Sequence, residues 1–287
     1  GIVVSPNGDF LYVTDQSDNK VYAFTIGSDG TLAPNGGYST GDNSRPLGIA
    51  VTPNSSYLYI ANTGNSTLSA FTILSDGTLE SNGTPDTFQE PAGVAVSPDG
   101  NYLYTAFAGA TNWIGYSAIA PDGTLTGSGV SPDPPSMYMG VTVSPSGDYL
   151  YVTSDVTDSS VYAFTIGSGG SLTLIDTYAC GNHLFPGGLA VSPNGNFLYV
   201  ANDSTHKVDA FTIGSGGALT PVGQFSAGGT LPKGVVVSPS GDYLYAAIQS
   251  KSVSAFEICP DGTLSTIDTY ATGDDSEFPT GMAIASK

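Results

Sequence analysis

Gly188-Leu-Ala-Val-Ser-Pro-Asn-Gly-Asn-Phe-Leu-Tyr-Val-Ala-Asn202 reads as a strand, a turn and a second strand in one short run. The apolar stretch behind the glycine is too short and too rich in β-branched residues for a helix, and suits a strand covered on both faces. Pro193 presets φ near −65°, and Asn194-Gly195 supplies the left-handed step of a tight turn. Leu-Tyr-Val then opens the next strand.

Working outward, the phrase recurs along the whole chain. Its prolines fall at Pro6, Pro53, Pro98, Pro145, Pro193 and Pro239, a period of 45 to 48 residues. Repeats of that length indicate a propeller or a solenoid. Each unit has four strand positions, a to d. Position a is the run after the glycine (Gly48–Val51, Gly93–Val96, Gly140–Val143), and position b is Leu58–Ile60 or Leu150–Val152. Position c reads Val21–Ile26 or Val161–Ile166 with the period of two that a pleat imposes. A glycine turn (Asp29-Gly30, Asp76-Gly77, Asp122-Gly123, Gly169-Gly170, Gly216-Gly217, Asp261-Gly262) closes each hairpin before position d.

Each unit is a complete antiparallel meander without a crossover helix, and such sheets leave fewest edges when arranged radially. The expected fold is therefore an all-β propeller of four-stranded blades, one domain over 1–287. A seventh copy of position a, Gly281–Ser286, ends the chain although Gly1–Ser5 already supplies one. Six blades would make the two copies compete. Seven would need three further strands ahead of Gly1.

The formal charge is −19, with six Lys and Arg against 25 Asp and Glu, which disfavours nucleic-acid phosphates as partners. No apolar run approaches the length of a spanning helix, so membrane insertion is not expected. The lysine-poor surface rich in Asn, Ser, Thr, Gly and Asp suits an extracellular, cell-surface or periplasmic protein. Cys180 and Cys259 end strands of opposite direction two blades apart, a geometry against a disulfide.

Function is sought on the variable b–c and d–a loops, since repeat scaffolds carry it there. Lys20, Lys207 and Lys251 lie in or beside b–c loops, Arg45 and Lys233 in d–a loops, and His183 and His206 on the same loop set. Trp113, the one tryptophan, together with Tyr138, Phe185, His183, His206, Lys207 and Lys233, is expected to form a rim for a small molecule, a glycan or a protein. Asp15, Asp18, Asp155 and Asp158 would suit calcium if any ion. No loop has an EF-hand pattern, no cofactor is required, and solvated negative charge is the preferred reading of these aspartates.

The Ser-Pro-Asn-Gly turn, Leu-Tyr-Val-Ala-Asn202 and Val-Tyr-Ala-Phe-Thr-Ile-Gly-Ser-Asp-Gly-Thr-Leu32 resemble the YVTN-type and lactonase-type β-propellers, which include 6-phosphogluconolactonases. The resemblance implies seven blades, with Phe278–Ile284 like a closing strand, and lactone hydrolysis using Arg or His in the run before strand a. Here histidine is absent from all those runs. His183 would be the base, and Arg45 or Lys233 the partner of the developing oxyanion. With those histidines missing, the expectation from the sequence is a non-catalytic ligand- or protein-binding module with little or no lactonase activity. The alternative is a lactonase-like hydrolase opening a sugar lactone.

Overall fold

The structure, a computed structural model, describes residues 1–85, 87, 89–109, 113–131, 138–154, 160–180, 186–272 and 282–284. They form six four-stranded antiparallel blades of a β-propeller. Helix is confined, among the described residues, to a single 3-10 turn at Ser168–Gly170. The chain groups into two compact units, Gly1–Tyr138 with Ser168–Ser171, and Met139–Gly167 with Leu172–Ile284.

The first unit holds three sheets. They run β1 (Ile2–Val4), β2 (Phe10–Asp15), β3 (Lys20–Ile26), β4 (Leu32–Ser39); then β5 (Pro46–Val51), β6 (Tyr57–Asn62), β7 (Thr67–Ile73), β8 (Leu79–Ser81); then β9 (Pro91–Val96), β10 (Tyr102–Phe107), β11 (Ile114–Ile119), β12 (Leu125–Val130). The second unit holds β13 (Tyr138–Val143), β14 (Tyr149–Ser154), β15 (Ser160–Ile166), β16 (Leu172–Ala179); then β17 (Pro186–Val191), β18 (Phe197–Asn202), β19 (Lys207–Ile213), β20 (Leu219–Ser226); then β21 (Pro232–Val237), β22 (Tyr243–Ile248), β23 (Ser252–Ile258), β24 (Leu264–Ala271).

The strand positions expected of the six units are thus all occupied, extended by a residue or two, whereas of the expected closing copy Gly281–Ser286 only Met282–Ile284 is described and it forms no strand, the rest of Phe278–Ser286 lying outside the described residues. Leu58, Tyr59 and Ile60 are fully buried between β5 and β7, as a position-b strand must be. Glycine lets neighbouring position-a strands approach. A Cβ on Gly48 would stand 2.5 Å from the Ala92 carbonyl oxygen, and one on Gly188 would stand 3.1 Å from Gly234 Cα.

Successive blades are joined by a repeated clasp on the turn glycine of the next blade. Two aromatic residues of position b make it. The tyrosine hydroxyl donates to the glycine carbonyl: Tyr12 to Gly77 (3.1 Å) and Tyr59 to Gly123 (2.7 Å) in the first unit, Tyr151 to Gly217 (3.1 Å) and Tyr199 to Gly262 (3.2 Å) in the second. The aromatic ring two residues earlier packs against the same glycine, where an added Cβ would meet the ring at 2.2 Å for Phe10 on Gly77 and 2.5 Å for Phe197 on Gly262. Those glycines have φ of 81° and 84°, so no other residue takes the position without strain. Burial pushes the phenols of Tyr12, Tyr59, Tyr151 and Tyr199 upward, so all four remain neutral donors.

At Tyr104 the clasp is half made. Tyr102 packs on Gly170, but the buried Tyr104 hydroxyl has no hydrogen-bond partner among the described residues. Removing a satisfied buried hydroxyl strands its partner and costs about 1–3 kcal/mol, whereas removing an unsatisfied one costs little. Tyr59→Phe is therefore expected to lower stability by about 1–2 kcal/mol in urea denaturation, and Tyr104→Phe to leave it unchanged or raise it. Equal losses for the two would show that the hydroxyls contribute nothing specific.

Candidate functional site

The cations and histidines of the variable loops are placed by the ends of position b and the entries to position a. In the second unit the chain leaves β18 through Asn202, which stitches the loop base. Its Nδ2 donates to the Cys180 carbonyl and to Asp209 Oδ2 (2.9 Å), and its Oδ1 accepts from Ser204 Oγ (2.9 Å) and the Thr205 N–H (3.2 Å). Asp203 follows with its side chain 4% exposed, and Lys233 Nζ donates to its Oδ2 at 2.7 Å. Lys233 stands on β21 between Pro232 and Gly234, at the entrance where the resembling enzymes place Arg or His.

His206 completes this cluster. It takes a left-handed backbone (φ 58°), its carbonyl accepts from the Ala227 N–H (3.0 Å), and its Nδ1 accepts from the Leu231 N–H (3.1 Å). The loop leading to Lys233 is thereby pinned to the loop after β18. With Nδ1 accepting, a neutral His206 carries its proton on Nε2, which makes it a donor to anything bound there rather than a base. The hydroxyl of Thr205 is buried without a partner among the described residues.

The structure thus ties the His206 loop to the segment that carries Lys233 and pairs Lys233 with Asp203. Lys207 Nζ reaches Gln224 Oε1 at 3.4 Å instead. In the first unit Arg45 is exposed, with its N–H donating to Asn19 Oδ1 (3.0 Å) and its stem crossing Gly64, whose added Cβ would lie 2.9 Å from Arg45 Cγ. Trp113 is 39% exposed just ahead of β11. Tyr138 opens β13, but its side chain lies outside the described residues, as do His183, Phe185, Asp155 and Asp158. Asp15 Oδ1 caps the N–H groups of Ser17 (2.8 Å) and Asp18 (3.0 Å), and Asp18 accepts the Tyr22 hydroxyl. Among the described residues no group of three or more His, Cys, Asp or Glu side chains converges.

Asp203 was not singled out in the sequence, although the repeats carry a signal. It occupies the place held by Gln16, Thr63, Ala108, Asp155 and Gln249, directly after position b. In the first unit Thr63 Oγ1 reaches the Pro91 carbonyl at 2.7 Å, so in that blade too the position faces the next strand-a entry. An acid here and a lysine one residue after the following proline make a pair.

Beneath the loop, Asp209 is 2% exposed and accepts from Asn202 Nδ2 (2.9 Å) and Gln224 Nε2 (2.8 Å). Burial nevertheless holds its carboxyl above the usual range, and burial together with the Asp209 charge raises the thiol of Cys180, which is buried and forms no disulfide. A raised folded-state pKa means that Asp209 contributes most to stability below the ordinary carboxylate range and that this contribution is lost as pH rises through the raised value. Asp209→Asn should therefore be more stable than wild type at pH 7, with the advantage shrinking toward pH 4 in chemical denaturation. An advantage equal at both pH values would refute the cost assigned to the buried charge.

Among solved structures the chain is similar to the periplasmic gluconolactonase PpgL of Pseudomonas aeruginosa, with TM-score 0.84 and 21% identity over 98% of this chain and 88% of that one. It is similar to a suggested 6-phosphogluconolactonase of Bacteroides uniformis, with TM-score 0.81 and 23% identity over 94% and 84%. It also resembles Kuenenia stuttgartiensis hydrazine synthase, with TM-score 0.72 and 21% identity over 89% and 75%. At such identities these likenesses establish the fold alone. No curated protein sequence is detectably similar. The sequence profile of the family described as "Lactonase, 7-bladed beta-propeller" matches residues 1–79 and 141–277, well over half of the chain. That match overturns the expectation of a non-catalytic binding module with little or no lactonase activity, which rested on histidines missing from the strand-a runs while Lys233 supplies a cation at one of them: the chain belongs to the lactonase family of seven-bladed β-propellers.

Proposed function

We propose that the protein is a lactonase-type hydrolase that opens a sugar lactone, and family membership is the observation that carries this reading. Ring opening needs a water attacking the ester carbonyl, a positive group for the oxyanion that forms, and a proton for the departing ring oxygen. Lys233 is the group of this chain best suited to the oxyanion, because Asp203 fixes its ammonium at 2.7 Å while leaving it partly exposed. Asp203 is a positioning residue in this scheme. His206, with a proton on Nε2, is assigned a hydrogen bond to the ring oxygen, and the proton that this oxygen keeps as the C–O bond breaks is the one His183 takes from water, which yields the hydroxy acid. His183 is assigned the removal of a proton from water. The similarity to a periplasmic gluconolactonase and the lysine-poor, acidic composition support an extracytoplasmic setting.

The test is turnover of 6-phosphogluconolactone, gluconolactone and simple γ- and δ-lactones, followed by proton release. Wild type should exceed background. Lys233→Met should lower kcat by about 10²–10³, the loss seen when one oxyanion donor is removed, and His183→Ala by about 10²–10⁴. Wild-type rates at background for every lactone would refute the proposal, and full activity in Lys233→Met would refute the role given to that residue.

A further inference from the structure

The third blade breaks the repeat inside its sheet as well as in its loops. Opposite the position-b leucine, five blades place a phenylalanine: Phe24 on Leu11, Phe71 on Leu58, Phe164 on Leu150, Phe211 on Leu198 and Phe256 on Leu244. The third places Ser117 on Leu103. Two residues earlier on the same face, where the others carry Tyr22, Ser69, Tyr162, Asp209 or Ser254, it has Gly115. Four of the five phenylalanines are buried, so they fill space.

Where that filling is missing, the first unit has a cavity of about 570 Å³ between the chain following β8 and the sheet of β10, β11 and β12. Phe107 folds over Gly115, whose added Cβ would stand 2.8 Å from its ring. Trp113 and Val130 line the cavity while 39% and 41% exposed, which puts them at its mouth. Thr87, Gln89, Thr105, Ser117, Tyr116 and Thr126 add hydroxyl and amide groups to walls that are predominantly apolar. No Asp, Glu, Lys, Arg or His is among the described lining residues, in a chain with 25 acids. Apart from Leu68, every one of these residues lies in 80–140, outside the family match.

We infer that this groove is a second binding site, separate from the Asp203–Lys233 cluster, for an uncharged ring compound with a mainly apolar body and one or two hydrogen-bonding groups. Its volume is that of a small-molecule pocket, and such pockets combine apolar and aromatic walls with a few polar groups. Aromatic side chains present flat faces to a ring, and a wall without cations in a protein of charge −19 selects against anions.

The single tryptophan makes the site its own reporter. N-phenyl-1-naphthylamine, an uncharged probe whose absorption overlaps tryptophan emission, should bind saturably with a rise in its own fluorescence and a matched fall in that of Trp113. Ser117→Phe restores the residue that the other blades carry. It should bind at least tenfold more weakly while melting no lower than wild type and hydrolysing lactones equally well. Val130→Lys, a change at an exposed position, should weaken binding to the same degree, and it decides the matter alone if Ser117→Phe does not fold. The anionic congener 1-anilinonaphthalene-8-sulfonate should bind at least tenfold more weakly than the neutral probe. Absence of saturable binding to wild type, or undiminished binding by the variants, would overturn the site. Equal binding of the anion would overturn its ligand class.

Discussion

Everything in this fold depends on how a position-b strand holds the turn of the next blade. A single four-stranded meander has one buried face too many for its size, and it is stable only when a neighbour covers it. The clasp makes that covering specific. The ring of Phe10 or Phe197 occupies the space a Cβ would need on Gly77 or Gly262, and the tyrosine two residues on takes the glycine carbonyl as acceptor. A turn of any other residue would clash with the ring and strain its own backbone. The turn glycine is thus constrained twice, by the hairpin it closes and by the blade it docks against.

The third blade shows what happens when the rule is relaxed. Its position-b tyrosine, Tyr104, faces Tyr116 where the other blades place Ala23, Ala70, Ala163, Ala210 and Ala255. Room for the extra ring comes from Gly129, whose added Cβ would lie 2.2 Å from Tyr116. Bulk has moved across the sheet: one face gains a tyrosine, and the other loses a phenylalanine at Ser117. Because the pleat sends neighbouring residues to opposite faces, a single exchange of residue types along β11 both crowds one interface and hollows the other.

Most of the fold could be read from the chain because its signals are local. Pro193, Asn194-Gly195 and the alternation in Val161–Ile166 each fix a few dihedral angles without reference to distant residues, and six repetitions leave little doubt about period. The candidate site could not be read in the same way. Asp203 and Lys233 are 30 residues apart and meet only because one blade's loop overhangs the next blade's first strand. Lys207 points its ammonium to the side-chain amide of Gln224, a contact between neighbouring strands that no single stretch of sequence announces. The hollow at Ser117 was legible in principle, since aligning the position-c strands exposes it. Attention to loops passed over it, because a serine in an alternating strand breaks no local rule.

The support under Lys233 carries a cost that the scaffold accepts. Asn202 must satisfy the Cys180 carbonyl, the Ser204 hydroxyl and the Thr205 amide at once, and Asp209 beneath it takes two amide donors in a place where burial disfavours its charge. The corresponding residue in the second blade, Asn62, donates to neutral oxygens of Thr67 and Ser69 and leaves its own Oδ1 without a partner among the described residues. An apolar residue at 209 would satisfy β19 at least as well and would leave the Asn202 amide with one acceptor fewer, free to turn. The carboxylate fixes which way that amide points, its oxygen then holds the first turn of the loop, and Asp203 follows directly on that turn with its oxygen against the lysine. A buried acid whose charge burial disfavours is therefore best understood as the anchor that keeps the ion pair above it in one geometry.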